Sequence, residues 1–111
     1  RPVILIGYSG GALLSGLIIK QETDINVQKW ITIAGVLNHN DWTHYFGDKP
    51  LIKSIDMDSM PTLPQTHYIA DQDDIVPYQL SKKWTTGKNL ITISNATHNN
   101  FPNIKINFNT Y

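Results

Sequence analysis

Four short apolar runs alternate with polar, turn-rich stretches along the chain. Val3-Ile4-Leu5-Ile6 is unbroken, stops at Gly7-Tyr8-Ser9-Gly10-Gly11, and resumes as Ala12-Leu13-Leu14 and Gly16-Leu17-Ile18-Ile19. The first run predicts a buried strand, the glycines a tight turn, and the longer apolar segment a helix reaching about Lys20. Leu13 with Leu17, and Leu14 with Ile18, stand four residues apart. Such a helix is apolar nearly all round, as suits one packed centrally against a sheet. Trp30-Ile31-Thr32-Ile33-Ala34-Gly35 is dominated by β-branched residues and predicts a second strand. Thr66 to Ala70 predicts a third strand and Leu90 to Ile93 a fourth. Between those two, Pro77 suits the first turn of a helix running from Tyr78 to about Thr86. From Val36 to Gln65 the pattern is irregular, with a short helix expected within Lys49–Met60 before Pro61 and Pro64.

Strands alternating with helices predict an α/β fold with a mostly parallel sheet and flanking helices. The strand at Val3–Ile6 reads as buried on both faces, which requires neighbouring strands on each side and helices above and below. Residues 1–111 are therefore expected to form part of a domain, with its remainder N-terminal to Arg1 as a structural partner. The excursion over residues 36–65 is long enough for a small cap or lid. Trp42, Tyr45, Phe46, Met57 and Met60 are its candidate pocket-lining residues, with ordinary loop packing as the alternative.

Composition removes several function classes. Nine basic and nine acidic residues among 111 leave no net charge, so neither nucleic acid nor an anionic membrane is expected as a partner. The absence of cysteine excludes disulfides, thiol catalysis and cysteine-bound zinc. No apolar run approaches the ~20 residues of a membrane span. His39, Asp41 and His44 suggest a metal only weakly, because their spacing does not repeat on one helical face and no full ligand set is evident. No metal or cofactor is expected. The glycines fit neither a dinucleotide fingerprint nor a phosphate-binding P-loop. Localisation is not encoded in these features.

Gly7, Ser9 and Gly11 match G-x-S-x-G between a predicted strand and a predicted helix. A serine on such a turn is held in a strained conformation with its hydroxyl clear of the strand's carboxyl end. Side chains two residues before and after it would collide where strand and helix approach, and glycine avoids this. Gly10 presents its N–H at the helix start, where a developing oxyanion would be stabilised. Asn95-Ala96-Thr97 fits a glycosylation sequon but abuts His98 and is read as coincidence.

With its flanking strand and helix, Gly7–Gly11 resembles the nucleophile elbow of the α/β-hydrolase fold. The resemblance spans nearly all of the chain but only the C-terminal half of that fold, from the elbow onward. It implies a Ser–Asp–His order, with the acid after one late strand and the histidine after the next. Ala70-Asp71-Gln72-Asp73-Asp74-Ile75-Val76-Pro77 is similar to the family's acid loop, and alignment on Val76-Pro77 places the acid at Asp73. Asp71 and Asp74 compete for that role, and Asp74 has helix capping as its alternative. His98 stands where the family's histidine sits, whereas His67 lies within a strand and reads as a packed residue. The resemblance implies a catalytic set of Ser9, Asp73 and His98, Gly10 as an oxyanion donor, a second donor from an earlier loop, and Tyr8, Trp42, Tyr45 and Phe46 toward a small-molecule acyl substrate. The implied reaction is carboxylic ester hydrolysis. An acyltransferase on the same fold and a non-catalytic binding protein that keeps the fold are the alternatives.

Overall fold

A computed structural model of the chain describes residues 2–22, 24–47, 56–101 and 106. Its frame is a parallel four-stranded sheet in the order β1-β2-β3-β4, formed by Val3–Tyr8, Val27–Ile33, Gln65–Ala70 and Asn89–Ile93. Helix α1 (Gly10–Gln21) joins β1 to β2, α2 (His39–Tyr45) lies between β2 and β3, and α3 (Tyr78–Trp84) joins β3 to β4. The four strands fall where the apolar runs predict them. Because the strands are parallel, their carboxyl ends gather at one rim, and every loop named as a site candidate leaves from that rim.

The core lies between the sheet and α1. Ala12, Trp30, Leu37 and Met57 form its buried centre, with Leu5, Leu13, Leu17 and Trp84 packed around them. Period-two alternation places Leu5 and Gly7 on the α1 side of β1 and Ile4, Ile6 and Tyr8 on the other. Trp30 donates from Nε1 to Ser15 Oγ at 2.7 Å, and Ser15 donates to the Ala12 carbonyl at 2.8 Å. The buried indole N–H is thereby satisfied without breaking the apolar contact.

Within residues 1–111, β1 pairs with β2, and Val3 is 37% and Ile6 48% exposed. Two expectations are corrected. First, α1 does not pack all round. Its buried residues are the small Ala12, Ser15 and Gly16, while Leu14 is 61% exposed. Small residues let the helix approach closely, and a Cβ on Gly16 would stand 2.5 Å from Met57 Sδ. Second, a helix forms over His39–Tyr45, in the stretch read as irregular. Of the Lys49–Met60 segment, 49–55 lie outside the described residues, and 56–60 are not helical.

His67 is fully buried on the central strand β3, where it packs edge-on against Trp30 at 5.0 Å. Gln65 donates its amide N–H groups to the Pro61 and Leu63 carbonyls, so its Oε1 must accept from His67 Nε2 at 2.8 Å. Nδ1 is then the acceptor for the Thr32 hydroxyl at 2.7 Å. Burial pushes this imidazole down to about 4, with the Lys88 ammonium adding to the effect. Between about 6.5 and that value the unfolded chain binds a proton that the native one does not. The stabilisation is therefore complete above the unfolded value and is lost as the pH falls through this window. Acidification from pH 7 to 4 should cost on the order of 3 kcal/mol at this residue. Urea denaturation at both pH values should show a shallower acid loss in His67→Gln than in the wild type.

Candidate active site

Ser9 occupies the step from β1 into α1 with φ 53° and ψ −121°. A non-glycine residue reaches that region only when its surroundings over-determine it. Here the Ser9 N–H donates to the Ile33 carbonyl at 3.0 Å, and the Ser9 carbonyl accepts from Ala12 N–H at 3.1 Å and Val36 N–H at 3.0 Å. Gly7 is required sterically, since a Cβ there would lie 2.5 Å from the Gly11 carbonyl oxygen and 2.6 Å from Ser15 Oγ. The matching expectation for Gly11 fails, because a Cβ there meets nothing within 4 Å. Ala34 and Asn95 also take positive φ, at 50° and 57°. Each lies just past a strand's carboxyl end, where the chain turns sharply over the rim.

The three residues implied by the resemblance come together at this rim. His98 Nε2 lies 2.9 Å from Ser9 Oγ, and His98 Nδ1 lies 3.0 Å from Asp73 Oδ2. A carboxylate only accepts, so Nδ1 carries the hydrogen and Nε2 is left to accept from the serine hydroxyl. The side chains of His98 and Asp73 are 7% and 2% exposed. Asp73 Oδ1 also accepts from Ile75 N–H at 2.9 Å and Val76 N–H at 2.8 Å, which fixes the carboxylate toward the imidazole. Gly10 opens α1, and the first N–H groups of a helix have no intrahelical acceptor.

The competing acids separate by geometry. Asp71 Oδ1 accepts from Ala96 N–H at 3.2 Å, and Gln72 N–H donates to the Ala96 carbonyl at 3.0 Å, so this end of the loop holds the segment that carries His98. Asp74 does not cap α3, whose N-cap is Pro77 with no side-chain bond. The Asp73 carboxylate takes the nearby N–H groups instead. Asp74 borders an open hollow of about 400 Å³ with Trp42, Phe46 and Ile75.

The pocket candidates divide. Trp42 and Phe46 line that hollow, with Trp42 Nε1 donating to the Ile75 carbonyl at 2.7 Å. Tyr45 packs edge-on against Phe46 at 5.2 Å and is 50% exposed. Met57 belongs to the core, 1% exposed, and Met60 packs against it. Tyr8 faces the His98 loop. His39, Asp41 and His44 do not converge: Asp41 accepts from Lys83 Nζ at 2.6 Å and Trp84 Nε1 at 2.8 Å, which holds its carboxyl below the usual range, and His39 stacks on Trp42. Sequence reasoning missed Asn99, whose Oδ1 lies 2.9 Å from the Tyr8 hydroxyl. Its only signal was adjacency to His98.

No family model and no curated protein matches the chain. Among solved structures, it is similar to a protein described as a "putative yden-like hydrolase" from Pectobacterium atrosepticum. Identity is 22% and the TM-score 0.68, over 90% of this chain and 50% of that one. The likeness is one of fold, an α/β-hydrolase-like arrangement of parallel strands and flanking helices, and the chain spans about half the length of that protein. Among the described residues no helix is long and apolar enough to cross a membrane.

Proposed function

We propose that this chain carries the catalytic residues of a serine hydrolase acting on carboxylic esters. The observation that supports the reading most is the continuous Asp73–His98–Ser9 hydrogen-bond relay ending on a strained serine. In this mechanism His98 Nε2 takes the Ser9 proton as Oγ attacks the ester carbonyl. Asp73 holds Nδ1–H and stabilises the imidazolium that forms. The Gly10 N–H donates to the oxyanion, and His98 returns its proton to the departing alcohol as the acyl-enzyme forms. Water, activated by the same imidazole, then releases the acid. Trp42 and Phe46 are proposed to meet the acyl or alcohol part in the hollow beside the acid loop, and residues 36–65 to form a small cap. A second oxyanion donor is proposed to come from the part of the domain preceding Arg1.

The test is covalent. An aryl phosphonate incubated with the intact protein should add one phosphonyl group, and peptide mapping should place it on Ser9. Absence of adduct, or an adduct at another residue, would refute the proposal.

A further inference from the structure

The sequence places Tyr8 among the substrate-pocket candidates, yet its hydroxyl is committed elsewhere. Tyr8 is the last residue of β1, and its phenol oxygen lies 2.7 Å from the His98 carbonyl and 2.9 Å from Asn99 Oδ1. The rings of Tyr8 and His98 lie side by side, 5.5 Å apart and tilted by 36°. A phenol has one hydrogen and cannot donate to both oxygens. It donates to the nearer carbonyl, and its own oxygen remains free to accept. A half-turn of the Asn99 amide would bring its nitrogen to that oxygen and satisfy both groups.

The fold explains why such a contact matters. His98 follows β4, and Ser9 follows β1, at opposite ends of the strand order. With strands ~4.8 Å apart, the histidine loop must cross on the order of 14 Å of rim to reach the serine. Near β3 it is held by Asp71 and Gln72 on Ala96. The turn itself is closed by Thr97 N–H to the Asn100 carbonyl at 3.1 Å and Asn100 N–H to the Thr97 carbonyl at 3.2 Å. Tyr8 ties its far end to the strand that carries the serine.

We infer that Tyr8 is a positioning residue whose phenol clasps the His98–Asn99 turn to β1 and so holds the imidazole within bonding distance of Ser9. Its effect on turnover rests on the hydrolase reading; the clasp itself does not. Tyr8 is 47% exposed, so water competes for the phenol and the effect is moderate.

Tyr8→Phe keeps the ring and removes only the hydroxyl. In the intact protein, hydrogen exchange of the Thr97 and Asn100 amides should accelerate about tenfold. kcat for an aryl ester should fall about tenfold, with KM little changed. Asn99→Ala should give a smaller loss, and the double variant should be scarcely worse than Tyr8→Phe because both changes break one linkage. A pocket residue would do the reverse, altering KM with acyl length and leaving exchange alone. Unchanged exchange in Tyr8→Phe overturns the clasp whatever happens to turnover. Faster exchange with unchanged kcat overturns the positioning role. Faster exchange in a protein whose wild-type form hydrolyses no ester supports the clasp and removes the hydrolase reading.

Discussion

Ser9→Ala in the intact protein is expected to lower kcat for a simple aryl ester by ~10⁵- to 10⁶-fold. The hydroxyl is the partner of His98 Nε2 and, in the proposed mechanism, the attacking atom, so its loss would remove the covalent step and leave the imidazole with nothing to deprotonate. The backbone bonds that hold residue 9 come from its N–H and carbonyl. They survive the substitution, so the circular dichroism spectrum and thermal midpoint should stay close to the wild type. Steady-state kinetics with a burst assay measures the loss. Turnover within tenfold of the wild type would assign the reaction to some other group.

Asp73→Asn should cost about 10⁴-fold in kcat, although it replaces one oxygen by a nitrogen. The amide oxygen of the variant side chain could still receive the Ile75 and Val76 N–H groups now held by Oδ1, so the loop should keep its shape. The amide nitrogen would then face His98 Nδ1 and donate to it. That forces the hydrogen onto Nε2, which can no longer accept the serine proton. Asp71→Asn and Asp74→Asn serve as controls among the three carboxylates of the loop. Asp71 holds backbone at Ala96 and Asp74 borders the hollow, so neither change alters the imidazole tautomer. A profile in which Asp74→Asn is the damaging variant would overturn the assignment of the acid.

The helix at His39–Tyr45 shows why part of the fold was not legible. Asn38-His39-Asn40-Asp41 has the composition of a loop, and seven residues are too few to be helical on propensity alone. The helix is stabilised by its own N-cap, Asn38, and by groups distant in sequence. Asp56 accepts from the His39 and Asn40 N–H groups at 2.8 Å each, and Asn38 Oδ1 accepts from Asp41 N–H at 2.8 Å. Lys83 and Trp84 of α3 hold Asp41 from the far side. Met57 is undecided in the sequence for a related reason. Its side chain reads equally well as pocket lining or as core, and the structure packs it into the core against Gly16.

The order in which serine, acid and histidine reach one rim was implied by the resemblance; the sequence alone determined the four strands and the turn at Ser9. Those are local properties: apolar runs bounded by glycine and proline, and parallel strands that bring their carboxyl ends together. Only the tertiary structure decided that the Tyr8 hydroxyl bonds the histidine loop and that residues 39–45 coil into a helix. Neither is a local property. Each depends on groups far apart in sequence that the packed loops bring within bonding distance of one another.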